Sequence, residues 1–367
     1  MAVYRNVNVR SPWFVQYDTT ETIARCDLRI WTGDVSTDKP ALPTYTLEKE
    51  AADNLVTFEL AELMRDSCSQ TGILSSGTCW AEVTLKDNDG TNADEVEVYL
   101  VSEGYRLYTE GLQHQGNSYE SDFVALPKNI ETSNNEYTVV MAEQTSIYIP
   151  VYVQPQNATD WKYRINTSST LGSWVAFPET TESDEIFKYI QIGGTTSSVE
   201  FDFNGTSATV EVKKFDCNKY NNYSSMLYAR PVVLTYVNKF GAKAEFTFTL
   251  KKMEKIRISS DKFKRNVTDY AGLTAGNNLH GSRRRVTGTK QEFIINTDYI
   301  SEDLVPQIEE LLLSEYVWLR TDSIYNGGRF SVNITDEMID KKNNLNDKLI
   351  QYTIKLETSA EYINTVR

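Results

Sequence analysis

The chain has 367 residues, with 37 basic against 51 acidic side chains and a formal net charge of −14. At about 100–200 residues per domain that length holds two or three cores, and a content of 40% hydrophobic and 11% aromatic residues excludes a disordered chain. The acidic balance argues against a protein whose main task is gripping nucleic acid, because that affinity comes from Lys and Arg neutralising phosphates.

The dominant signal along the chain is period-two alternation broken by turn residues, which predicts antiparallel strands. Trp13–Tyr17 and Ala24–Trp31 come first; in the second, Ala24, Cys26, Leu28 and Ile30 share a face while Arg25, Asp27 and Arg29 point away. A Pro-containing loop, Lys39–Pro43, leads to strands at Thr44–Lys49 and Leu55–Leu60, and Leu60, Leu63 and Met64 place one helical turn at Ala61–Arg65. Trp80–Leu85 and Glu95–Val101 form a hairpin around a loop dense in carboxylates. Placing Gly90 sixth in a calcium loop would put Leu85 first and Val96 twelfth; neither offers a ligand oxygen, so Asp89-Gly90 is a turn. A polar connection over 118–135 follows.

A second β region runs through Tyr137–Met141, Ser146–Val153, Trp161–Ile165, Trp174–Phe177 and Tyr189–Ile192. Its clearest hairpin is Val199–Phe203, Asn204-Gly205, Thr206–Val212, since Asn-Gly between alternating runs favours a two-residue turn. Pro231–Val237 and Ala244–Leu250 form another pair, joined by Asn238–Ala242. Residues 259–290 change character: Ser259–Val267 is polar, Ala271–Gly281 is rich in glycine, and Arg283, Arg284 and Arg285 form the chain's one run of three basic residues. An amphipathic helix is expected near 301–314, with Ser301 as N-cap, Glu302 and Asp303 at the positive end, Pro306 early, and Leu304, Ile308, Leu311 and Leu312 as the apolar stripe. Strands close the chain at Val317–Arg320, Phe330–Ile334 and Leu349–Leu356.

The expected fold is therefore mainly β: two or three antiparallel β-sandwich or Ig-like domains with one C-terminal amphipathic helix. The expected divisions are 1–127, 128–215 with inserted hairpins, and 216–367.

Enzyme signatures are missing. His114 and His280, the only histidines, cannot supply a zinc triad, and neither is accompanied by a GxSxG elbow. Paired carboxylates (Glu48/Glu50, Glu95/Glu97, Asp184/Glu185, Glu309/Glu310) are too common to be diagnostic. Gly193-Gly194 and Gly327-Gly328 lack the Lys and the strand–loop–helix context of a phosphate loop and are expected as turns. Cys26, Cys68, Cys79 and Cys217 have no CxxC spacing and are expected as isolated thiols. The sequence therefore predicts no catalytic, metal or cofactor-binding residues and no cofactor. The Tyr and Trp content fits strand packing better than a binding face. The Arg283–Arg285 cluster is the one candidate interface: it could dock on an acidic neighbour or touch phosphate, against the plainer reading of a solvated loop.

The N-terminus lacks a signal-peptide run, and no stretch approaches the about 18 consecutive apolar residues of a membrane span. A cytoplasmic origin without membrane association is expected. Six Asn-x-Ser/Thr sequons are compositional in this Asn-, Ser- and Thr-rich chain.

A set of longer segments carries a family resemblance. They are Arg10-Ser-Pro-Trp-Phe14, Ile30-Trp-Thr-Gly33, Pro43–Leu47 and Val56–Arg65 near the start. Phe215–Tyr220, Pro231–Ala242 and Phe263–Val267 follow, then Ile300–Asp303, Leu311–Trp318, Val332–Thr335 and Leu345–Ile354. Together these resemble the tail ring (collar or barrel) proteins of crAss-like bacteriophages infecting Bacteroidetes, at both ends of the chain but not over 145–210. The resemblance implies a virion structural protein, made in the host bacterial cytoplasm and not an enzyme. It also implies a twelvefold homo-oligomeric ring below the portal, whose neighbours are the adjacent tail ring, portal or tail hub proteins. DNA would pass only transiently through the lumen during ejection, and an acidic lumen would suit its release. The rival from another class is a glycan-binding or adhesin module of a phage fibre or bacterial surface.

Overall fold

Where the sequence alternates, the backbone is extended. The computed structural model describes residues 5–67, 79–87, 93–107, 123–129, 135–142, 145–152, 161–177, 187–215, 231–250, 252–264, 282–320, 329–336 and 349–361. It divides into two units: Met1–Asp216 with Thr235–Phe246 and Glu302–Ser314, and Cys217–Leu234 with Thr247–Ser301 and Glu315–Arg367. The fold is mainly β, built from several largely antiparallel sheets, with two α-helices among the described residues.

The first unit begins with β1 (Arg5–Asn8), β2 (Phe14–Asp18), β3 (Ile23–Thr32), β4 (Tyr45–Glu50), β5 (Leu55–Glu59), α1 (Ala61–Ser67), β6 (Cys79–Asp87) and β7 (Ala93–Ser102). Five of these strands make a sheet in the order β1-β7-β6-β3-β4. The β1–β7 pair is parallel, while the other three ladders are antiparallel. Ala24, Cys26 and Leu28 are buried on one face of β3, as the alternation predicts. They join Ala81, Val83, Leu85, Tyr99 and Val101 in a core closed by the β2–β5 pair and α1 through Trp13, Tyr17, Phe58, Leu60 and Met64. Trp13 meets Tyr99 edge-on at 4.8 Å. Two apolar layers thus cover each other, the sandwich solution for half-apolar sheets.

The same sheet's opposite face carries a second core. Trp31, Trp80 and Leu100 pack with Ala125, Tyr152, Phe187 and Ala242. Tyr152 and Phe187 come from a three-stranded sheet, β13 (Phe187–Ile192), β10 (Ile147–Tyr152) and β8 (Phe123–Val124). Ala242 ends the turn between β16 (Val232–Val237) and β17 (Lys243–Phe248). In that turn fully buried Asn238 accepts the N–H groups of Phe240 (3.1 Å) and Ala242 (3.0 Å) and donates to the Ala125 carbonyl (2.7 Å). Gly241, at φ +85°, passes so close to the neighbouring chain that a Cβ there would sit 2.8 Å from the Gly104 nitrogen. Only glycine combines that φ with that approach.

A third sheet of this unit runs β12 (Val175–Ala176), β11 (Lys162–Thr167), β14 (Thr196–Phe203), β15 (Thr206–Phe215), β9 (Glu136–Ala142). The predicted Asn-Gly hairpin is its centre: Phe203 pairs with Thr206, and Asn204 and Gly205 both have positive φ (49° and 91°). Gly193-Gly194 lies in the expected turn between β13 and β14.

The C-terminal helix is shorter than expected and starts differently. A 3₁₀ turn over Glu302–Leu304 precedes α2 (Val305–Leu313), so Leu304 is the N-cap and makes no side-chain cap bond. Ser301 instead closes strand β20 (Ile300–Ser301). Pro306 in the first turn explains the shift, because its missing N–H is tolerated only there. The apolar stripe is as predicted at Leu304, Ile308 and Leu311, all fully buried.

In the second unit, β21 (Val317–Arg320), β22 (Arg329–Ile334), β24 (Thr353–Thr358), β19 (Ser282–Asn296) and β18 (Met253–Lys264) follow one another in an antiparallel sheet. β20 pairs with β23 (Leu349–Ile350). Phe293, Ile295, Leu319, Val332, Ile354 and Leu356 are buried. Among the described residues no helix is long and apolar enough to cross a membrane.

Candidate functional site: a basic β-arm

Ser259–Lys264 and Ser282–Lys290, from the span where the sequence changes character, belong to two long strands, while Ala271–Gly281 lies outside the described residues. β18 and β19 pair from Met253↔Ile294 out to Lys264↔Ser282. The next strand, β24, pairs with β19 only over Glu292–Asn296. Beyond that the two strands form a ribbon whose outer edges carry no other strand among the described residues. Every residue of β18 is exposed except half-buried Ser260, and Ser282–Val286 of β19 are all exposed. Over Ser282–Val286 and the β18 residues opposite them both faces of the ribbon therefore meet solvent, whereas nearer the sheet Thr289 and Gln291 are buried.

Arg283, Arg284 and Arg285 lie on this arm, in a strand rather than in the solvated loop of the plainer expectation. The pleat divides them, because successive side chains point to opposite faces. A bulge leaves Thr287 as an extra residue between the pairs Ser259↔Gly288 and Ser260↔Val286, and changes which β19 residues share a face with which β18 residues. One face consequently carries Ile256, Ile258 and Val286 followed by Lys262 and Arg284; the other carries Arg257, Lys290, Asp261, Arg285, Phe263 and Arg283. Arg284 Nε donates to Ser260 Oγ at 2.8 Å, and Arg257 stands 3.7 Å from Glu292. Apolar side chains are exposed along the arm: Ile256 by 52%, Phe263 by 47%, Ile258 by 46% and Val286 by 38%. Across both strands eight basic side chains face three acidic ones, a net of +5 in a chain of net −14.

Buried charges of the first unit are internally matched. On the face of β3 away from its core, the Asp27 side chain is 4% exposed and accepts from Arg25 (3.0 Å), Thr46 (2.9 Å) and Lys86 (2.5 Å). Burial alone would raise its carboxyl, but the hydrogen bonds from Lys86, Arg25 and Thr46 together lower it below the usual carboxylate range. Glu82, equally buried, receives Arg29 at 2.9 Å and also Lys39. Asp34 is half-buried and is held low by the backbone and side-chain donors of Thr37 and Ser36. The Tyr236 hydroxyl is pushed well up by burial, then by Glu310 and Tyr105. These groups stabilise the fold and leave no charge to offer.

The predicted carboxylate pairs do not assemble a site. Glu48 is on β4, Glu97 on β7 beside Arg5 (3.8 Å), and Glu310 is buried in α2. Asp184, Glu185, His114, His280, Cys68, Cys217, Asp89-Gly90 and Gly327-Gly328 lie outside the described residues. Among the described residues no cluster of His, Cys, Asp and Glu could hold a metal ion. Cys26 is a free buried thiol, pushed up to about 12 by burial and then by Asp27. Cys79 is disulfide-bonded, which corrects the expectation of isolated thiols; pairing depends on proximity in the fold, which spacing along the chain does not show. Among the described residues most of the large aromatics fill cores, Trp80, Trp161, Tyr137 and Tyr236 included. Trp174 is exposed by 44%, with Arg164 stacked 4.7 Å from its ring centre. No protein-family model and no curated protein matches the chain.

Proposed function

We propose that this chain is a non-enzymatic structural protein of a tailed-phage virion, a homo-oligomeric ring of the tail or collar through which DNA passes. The β-arm carries the proposal. A ribbon whose outer part is exposed on both faces, basic and carrying exposed Ile256 and Ile258, suits a contact with another molecule better than a role inside its own unit. An element that docks at a different place on its neighbour makes a head-to-tail contact, and such contacts close into rings when the rotation allows. The segments resembling crAss-like tail ring proteins supply the virion setting, and the layered β units supply a rigid body for the ring.

Quantitative mass spectrometry of density-purified, nuclease-treated particles tests the reading. A fixed ratio to the portal subunit is the expected result. Absence of the chain from the particles would overturn it.

A further inference from the structure

The arm's two properties, positive charge and exposed apolar surface, together identify what it binds. Its strands carry +5, so the remainder of the chain carries −19. A second copy of this chain thus carries the opposite net charge outside its arm, and complementary potentials both steer encounter and fix orientation. Duplex DNA offers negative charge as well, but its backbone is contacted by cationic and hydrogen-bonding groups rather than by aliphatic side chains. On the face that carries Arg284 and Lys262, Ile256, Ile258 and Val286 precede them in line. Laid against phosphates, that stripe would meet charged oxygens along much of its length. Laid against a protein surface, it is removed from water, which is the favourable outcome for apolar side chains.

We propose that the β18–β19 arm docks on an acidic, partly apolar surface of a second copy of this chain, with Ile256, Ile258 and Val286 as its apolar contact, Arg284 and Lys262 as the charge contact on the same face, and Arg283 and Arg285 adding charge from the opposite face. This rests on the reading of the chain as a self-assembling protein and adds which element makes the contact. Docking also supplies the ribbon with the packing that two strands lack by themselves in water.

The test uses the full-length chain in sedimentation velocity and mass photometry over a concentration series, with two variants. One is Ile256→Ser/Ile258→Ser; the other is Arg283→Glu/Arg284→Glu/Arg285→Glu. Each should weaken self-association at least about tenfold, and the charge reversal about a hundredfold, while the melting temperature stays within about 2 °C of wild type because Ile256, Ile258 and the three arginines are all exposed. The Arg→Lys triple variant, which keeps the charge, should assemble nearly as wild type. The charge-reversed chain retains its acidic surface, so mixed with wild type it should cap growing assemblies and lower their mean mass.

Three results would overturn the proposal. The wild type could stay monomeric up to about 100 µM, which corresponds to an association too weak to matter. The variants could assemble unchanged. Or wild type could bind a 30-base-pair duplex at 150 mM salt through the arginines, with assembly indifferent to them, which would make the arm a nucleic-acid grip. Failure here is separable from failure of the virion reading. A chain present in particles whose arm variants assemble normally loses only the docking element; one absent from particles whose arm variants dissociate loses only the virion setting.

Discussion

The sheet built on β3 and β6 and the arm built on β18 and β19 are both charge-rich antiparallel pairs, yet they handle charge in opposite ways. In the first, Asp27 and Glu82 are 4% exposed and each is met by at least two cationic side chains. In the second, the arginines lie in the open on the outer part of a ribbon, where both strands are exposed. Desolvated charges must be paired to be tolerated, so removing one partner is costly; exposed ones are screened and contribute little to folding. The contrast separates charge that holds a fold from charge left for another molecule, and each substitution below is placed to break or sharpen it.

The largest effect is expected at Asn238. Its side chain is fully buried and makes three hydrogen bonds that tie the β16–β17 turn to Ala125. At about 1 kcal/mol net for each bond, Asn238→Ala should lower stability by about 3 kcal/mol in urea titration. A loss under about 1 kcal/mol would show that the turn is held by packing of Ala242 and Phe240 instead.

Asp27→Ala comes next. It strands Lys86 and Arg25, but the Arg25 side chain is 35% exposed and can turn to water, so about 2 kcal/mol is expected rather than the loss typical of a fully buried pair. The acid side gives a sharper signature. Because the Asp27 carboxyl is lowered in the folded chain, its contribution is fully present above the ordinary carboxylate value of 3.8 and disappears as pH falls through the depressed folded value. The stability difference between wild type and Asp27→Asn, followed by urea titration from pH 7 downward, should therefore shrink below pH 4. A difference constant with pH would mean that shape, not charge, is what Asp27 supplies.

Cys26 reports on the same sheet without a substitution. Its thiol is buried and pushed up to about 12, so iodoacetamide at pH 8 should leave it untouched in the native chain and modify it at once in urea. Modification at the native rate of a free thiol would show that the β3 face opens readily.

The body of the fold was legible in the sequence because one face of each strand is covered. Ala24, Cys26 and Leu28 alternate with Arg25 and Asp27, and Val199, Phe201 and Phe203 alternate around an Asn-Gly turn; burial on one side writes the period-two pattern. The arm was illegible for the same reason inverted. With neither face covered there, Ser259–Lys264 and Ser282–Thr287 carry no apolar alternation to read, and the arginines look like a loop. The helix start was misplaced because Ser301 is a good cap by residue type, whereas a 3₁₀ turn and a strand compete for the same residues. β1 escaped too, since its parallel pairing with β7 joins residues far apart in the chain with no turn to announce it. The candidate interface was half legible: its residues stood out by charge, but not the strand that divides them between two faces or the isoleucines beside them.

The smallest expected effect is the one that sets the arm apart. Reversing Arg283, Arg284 and Arg285 should change the stability of the monomer by less than about 0.5 kcal/mol, because surface substitutions away from buried features stay within that range. Beside the roughly 2 kcal/mol expected for Asp27→Ala, three charges would then matter less to folding than one. The measurement is a urea titration at a concentration below self-association, with 0.5 M salt as a control that screens surface charge and leaves the Asp27 cluster largely intact. A loss near that of Asp27→Ala, surviving high salt, would show that the arginines are anchored within their own unit, and the distinction between the two strand pairs would collapse.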